Sequence, residues 1–136
     1  MAVAHCQQRE QFGVTIGHFQ AIQHQLADMA VDVLPSRGMY WYAAHAMDCG
    51  LADAGGFASL AKAHITDRYV AAARRTIEVH GGIGYTWESD LHFFLRRAVF
   101  DRAYLGSPEL HRQRRARSQL EVGSPAQANG QLARAT

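Results

Sequence analysis

The sequence is short of the features that mark several protein classes. Its two cysteines, Cys6 and Cys49, lie far apart and form no Cys-x-x-Cys pair. A disulfide framework is therefore not expected. With no signal-peptide pattern, the thiols are expected to be reduced and the protein cytoplasmic. No apolar run reaches the ~20 residues of a membrane helix, so no membrane partner is expected. No internal repeat is visible, and no segment alternates convincingly with the period-two pattern of a strand. Net charge is only +2, too mild to imply nucleic acid. Lysine is almost absent: the fourteen basic residues are thirteen Arg and the single Lys62.

What is present reads as helix. The 136 residues, 48% hydrophobic and 19% charged, suit one soluble globular domain. From Phe19, the residues Ile22, Leu26, Met29 and Val33 recur at helical spacing, with Gln20, Gln23, Asp28 and Asp32 mostly off that stripe. Pro35 and Gly38 predict a break or kink, after which "MYWYAAHAMDC" resumes the helix. "GLADAGG" (50–56) reads as a loop. A second long helix is expected over Phe57–His80, with Leu60, His64, Ala71, Ala72 and Ile77 inward and Gly81 as a left-handed C-cap. A third is expected from Thr86, with Leu91, Phe94, Leu95 and Ala98 on its apolar face. Ser107, Pro108 and Glu109 mark the start of a last helix, about 108–121. The expected fold is all-α: an antiparallel four-helix-type bundle with short terminal helices over 1–121 and a disordered tail over 122–136.

Several candidate chemistries fail on inspection. In "HGGIGYTW" (80–87), a GxGxxG pattern set on Gly82 and Gly84 would need glycine where Trp87 stands, and a helix precedes it instead of a strand. The plain alternative is a helix stop and a tight turn, although a stop needs one glycine, and extra glycines suit close backbone approach to a partner or phosphate. Among eight histidines none are paired at i,i+3 or i,i+4, and His45 with Cys49 alone cannot fill a tetrahedral site, so no metal is expected. The basic run "HRQRRARSQ" (111–119) lacks interleaved aromatics and reads as a solvated face. "YWY" (40–42) suits core or oligomer interface. In "REQFG" (9–13) an arginine beside a turn suits a phosphate or carboxylate.

Taken in order, "REQFGVTIGHFQAIQHQLADMA" (9–30), "HGGIGYTWESDLHFFLRRA" (80–98) and "YLGSPELHR" (104–112) resemble the C-terminal helical domain of the acyl-CoA dehydrogenase family. The resemblance covers about Arg9 to Glu121. It implies a helical bundle that assembles into homo- or hetero-oligomers, FAD shared with a neighbouring subunit or chain, and α,β-dehydrogenation of an acyl-CoA. Electrons would leave to an electron-transfer flavoprotein, and that partner and acyl-CoA would engage only a complete enzyme.

Position by position, the resemblance implies that Arg9 and Gln11 meet the FAD pyrophosphate region, that Phe19 and Gln20 pack nearby, and that Gly81 and Gly82 approach the adenosine end. Position 78, usually Gln in the family, is Glu78, an anion disfavoured near a pyrophosphate unless it faces away. Tyr104 and Gly106 would line the substrate. Between them, where many members carry the catalytic Glu, stands Leu105, which cannot accept a proton. Other members place the base on the helix before the Arg-Phe-Gly turn, largely absent from this chain. The expectation is a C-terminal domain inactive alone. The alternative is a non-catalytic structural or regulatory module derived from the family.

Overall fold

The computed structural model describes residues 1–122. Helix α1 (Ala2–Gln8) leads into a minimal hairpin, β1 (Glu10–Gln11) and β2 (Val14–Thr15), paired antiparallel with Gln11 opposite Val14. Phe12 and Gly13 make its two-residue turn with φ of 55° and 80°, as the turn favoured in two-residue hairpins requires. A 3₁₀ turn, Ile16–His18, precedes α2 (Gln20–Asp48). Then come α3 (Ala54–His80), a 3₁₀ turn over Gly81–Tyr85, α4 (Leu91–Ala103) and α5 (Pro108–Val122). The expected tail lies outside the described residues except Val122, which ends α5.

Helix α3 is the centre, in contact with α1, α2, α4 and α5. Helices α2 and α4 run antiparallel to it. On α2, Asp32 pairs with Arg68 and Arg75 while Tyr42 meets Phe57. On α4, Asp101 and Arg102 lie beside Lys62, while Leu95 and Ala98 pack with Val70 and Ala73. The buried stripe of α3 is Ser59, Ala63, Thr66, Val70, Ala73 and Ile77, a 4-3-4-3-4 spacing. Small residues there let the helices approach closely, while Leu60, expected inward, is 41% exposed. Of the other expected inward residues, Ile77 is buried, and His64, Ala71 and Ala72 are half-buried.

Four further expectations are corrected. Helix α2 runs unbroken through Pro35, which is exposed and interior to the helix. Proline there removes one intrahelical hydrogen bond, but packing on α3 before and after it holds both halves in one helix. Asp32, not Val33, continues the inward stripe, because it answers Arg68 and Arg75 across the interface; Val33 is 44% exposed. Helix α3 begins at Ala54, three residues early. Gly56 is buried there beneath the Asp53–Arg115 pair, where any side chain would collide. Helix α4 begins at Leu91, with Asp90 as its N-cap: the Thr86 hydroxyl donates back to the Ile83 carbonyl at 2.9 Å, and the Ser89 hydroxyl accepts from the Leu91 N–H. On α4's apolar face Leu91 and Ala98 are buried, but Phe94 is 45% exposed. The start of α5 agrees with expectation: Ser107 Oγ accepts from the Leu110 N–H at 3.3 Å and Pro108 opens the helix.

Alanine dominates the buried apolar set, while large apolar side chains stay outside, among them Trp41, Trp87, Phe93, Phe100 and Leu105. Tyr40, Trp41 and Tyr42 are each about half exposed and form no core.

Candidate functional site

The "HGGIGYTW" segment uses its three glycines differently. Gly81 leaves α3 with φ 63° and ψ −143°, a combination reserved for glycine but not the left-handed cap expected. Its N–H bonds the Glu78 carbonyl, tightening the helix end into the 3₁₀ turn. Gly84 is buried: a Cβ there would lie 2.5 Å from the Ile77 carbonyl oxygen. It is required by packing on α3, a role the sequence did not reveal. Gly82 differs from both, since a Cβ would meet nothing within 4 Å and the residue is exposed. Its backbone is open to an approaching molecule.

The turn holding Gly81 and Gly82 sits beside α1. His80, the last residue of α3, donates Nδ1–H to the Thr76 carbonyl at 2.7 Å and stacks on His5 of α1, ring centroids 4.0 Å apart. Burial, the His80 ring and the Arg9 guanidinium push the His5 pKa down, so Arg9 acts electrostatically at the same corner. Arg9 caps α1, is exposed, and forms no ion pair among the described residues. Gln11 is exposed on β1 and bonds the Glu10 carbonyl at 2.8 Å. Phe19, half-buried, meets the strained and 92% exposed Phe12 edge to face, centroids 6.2 Å apart. Gln20 is exposed at the start of α2. Glu78 is exposed on α3. The His5–His80 stack thus ties the end of α1, next to Arg9, to the end of α3, next to Gly81 and Gly82. An exposed guanidinium and an open backbone suit an anionic group.

Tyr104, Leu105 and Gly106 lie elsewhere. Lys62, which reaches them, is eighteen residues before His80 on α3, about 27 Å along a helix. Tyr104 is exposed and stacks on Phe100 at 5.2 Å. Leu105 has φ 61° and is 72% exposed; a leucine held there costs about 1–2 kcal/mol. Gly106 follows at φ 113°. The buried His111 donates Nε2–H to the Leu105 carbonyl at 3.2 Å, and its Nδ1 is buried without a partner. No carboxylate occupies the tip of this turn.

Beneath it, Asp67 receives Arg102 at 2.7 Å and Arg112, tying α3 to α4 and α5. Burial raises the Asp67 pKa, but the hydrogen bonds from Arg102 and Arg112 outweigh it, and the carboxyl ends below the usual carboxylate range. Asp53 similarly takes Arg115 and Ser118. The basic run of α5 is therefore not simply a solvated face: His111 is buried, and Arg112 and Arg115 point at acids of α3. His45 and Cys49 contact one another, Sγ to Nδ1 3.6 Å, and no third ligand joins them among the described residues. No helix among the described residues is long and apolar enough to cross a membrane.

An apolar groove of about 430 Å³ opens between α1, α2, α3 and α4, lined by Val3, Leu26, Met29, Tyr69, Ala72 and Phe94. It adjoins α1, which supplies less than two turns of helix to that side of the bundle.

Helices of this order pack around a central α3, with an open-backbone glycine turn at one end and a strained turn at the other. Residues 1–120 match the family described as acyl-CoA dehydrogenase, C-terminal domain, and the chain belongs to that family. It is 33% identical over 111 residues to the probable acyl-CoA dehydrogenase FadE25 of Mycobacterium tuberculosis, covering 82% of this chain and 28% of that protein. It superposes on butyryl-CoA dehydrogenase from Megasphaera elsdenii with a TM-score of 0.83 and 28% identity, over 88% of this chain and 31% of that one. Against the FAD complex of PigA the TM-score is 0.82 and identity 25%, over 90% of this chain and 32% of that one. The chain therefore spans about a third of the length of the relatives it matches.

Proposed function

We propose that this chain assembles with other copies or with a longer partner chain and completes an FAD site there. Arg9 and Gln11 would face the pyrophosphate, Phe19 and Gln20 would pack beside it, and Gly81 and Gly82 would receive the adenosine end. Exposed Glu78 would turn to solvent. The observation that carries this reading is Gly82, whose open backbone follows closely on His80, the residue stacked on the His5 ring that feels the Arg9 charge. The exposed aromatic surface supports assembly.

FAD, when bound, would accept the hydride in α,β-dehydrogenation of an acyl-CoA, passing electrons on to an electron-transfer flavoprotein. This chain's contribution is to bind and orient. Tyr104 and Gly106 would line the acyl path, and Leu105 would add an apolar wall without taking a proton. We expect no dehydrogenase turnover from the chain alone, a cytoplasmic location, and a role in fatty acid or lipid metabolism. Residues 1–121 would act as one domain.

The test is flavin retention. The chain is mixed with FAD, alone and with longer acyl-CoA dehydrogenase chains, then desalted and scanned for flavin absorption. Retained flavin that falls in an Arg9→Ala, Gly82→Val variant supports the proposal, and no retention in any combination overturns it. The second reading, a structural or regulatory module, is favoured by Leu105 at the family's base position. It expects stable helical oligomers whose melting temperature FAD does not shift.

A further inference from the structure

Thirteen arginines and one lysine make the placement of that lysine informative. Lys62 sits on α3 with its ammonium turned inward against the end of α4. It donates to the Asp101 carbonyl at 2.9 Å, the Arg102 carbonyl at 3.1 Å and the Gly106 carbonyl at 3.2 Å. Three donors meet three acceptors, so the group is saturated. Two acceptors belong to the last turn of α4, where helix carbonyls lack intrahelical partners and a positive charge is favoured. The third, on Gly106, is at the far end of the turn. One ammonium therefore ties the end of α4 to the last residue of Tyr104–Gly106, and a relaxation of Leu105 out of positive φ would carry the Gly106 carbonyl away from it.

The same turn is held from α5, where His111 donates to the Leu105 carbonyl at 3.2 Å. The Thr66 hydroxyl donates to the Lys62 carbonyl at 2.8 Å, bracing that turn of α3. A tetrahedral ammonium can converge on three carbonyls from one point. A planar guanidinium directs its donors outward and cannot. Burial also pushes the Lys62 pKa down, a cost that a lysine reaching into water would avoid.

We propose that Lys62 is the positioning residue of the Tyr104–Gly106 turn: it fixes residue 105 in its left-handed conformation and so aims that side chain outward, toward an acyl thioester. The last clause rests on the function proposed above; the clamp itself does not.

The test is a double-mutant cycle read by thermal unfolding. While the clamp holds, Leu105→Gly removes strain and raises the melting temperature by about 3 °C. In a Lys62→Met background the turn is free to relax, and the same change gives no gain. Lys62→Arg keeps the charge but should behave like Lys62→Met. Equal gains from Leu105→Gly in all three backgrounds, or full rescue by Lys62→Arg, overturn the proposal.

Should Lys62→Met fail to fold, the unmutated chain still decides. With ¹⁵N-lysine labelling there is a single side-chain signal. A clamped ammonium gives one resonance whose protons exchange slowly with water. Exchange as fast as free lysine overturns the clamp. Neither experiment uses flavin or acyl-CoA, so failure of flavin retention leaves this result standing, and the reverse also holds.

Discussion

His5 lies against His80 with ring centroids 4.0 Å apart and an interplanar angle of 23°, and this stack fastens α1 to the end of α3. His5 is kept below the ordinary histidine pKa of 6.5, first by burial and then by the His80 ring and the Arg9 guanidinium. Below pH 6.5 the unfolded chain therefore binds more protons at this position than the folded one. Stability contributed here falls as pH falls through that window. We expect α1 amides to exchange faster at pH 5.5 than at pH 7.5 after correction for intrinsic rates. His5→Phe keeps a stacking ring without a proton and should flatten that dependence; an unchanged pH slope in the variant would refute it.

Asp67 gives a dependence of the same sign at lower pH. Its depressed pKa means that the folded carboxyl holds its charge below the usual value of 3.8. The stabilisation is present above that value and is lost as pH falls through the folded pKa. Both arginines are partly solvated, so the loss is modest: Asp67→Asn should cost about 1 kcal/mol at pH 7. Urea unfolding at pH 7 and pH 3 checks this, because the difference between variant and wild type should shrink at the lower pH.

The glycines of "HGGIGYTW" separate packing from binding. Gly84→Ala pushes a methyl onto the Ile77 carbonyl and should destabilise the chain by about 2 kcal/mol. Gly82→Ala meets open space and should change stability by less than about 0.5 kcal/mol. In an assembled enzyme the order reverses for flavin: Gly82→Ala should weaken retention although the fold is intact. Chemical denaturation and flavin absorption together decide it.

Pro35 is exposed and interior to α2, where it lacks the N–H a helix uses. Pro35→Ala should restore that hydrogen bond and raise stability by about 1–3 kcal/mol. A fall in the melting temperature would show that α2 is shaped around the proline.

The order of the long helices and the last helix start were legible because apolar spacing and the Ser-Pro-Glu start report local geometry. What escaped depends on partners far along the chain. Asp32 looked like a solvent residue until Arg68 and Arg75 were seen across from it. Ser59 and Thr66 do not read as core residues, yet the centre of α3 needs small side chains more than apolar ones. Gly56 and Gly84 are fixed by Arg115 and the Ile77 carbonyl, contacts no local pattern encodes. The candidate cofactor residues were readable only by resemblance, and the His5–His80 stack that draws their two groups together was not readable at all.

The central place of α3 also sets how the molecule comes apart. Helices α2, α4 and α5 each lean on α3 far more than on one another. Each can open separately, carrying away its own interface and leaving the other two in place, whereas loss of α3 dissolves everything at once. The slowest amide protons should therefore lie along the Ser59–Ile77 stripe. The helix carrying the aromatic outer face, α2, is free to adjust to a partner while the axle beneath it stays whole.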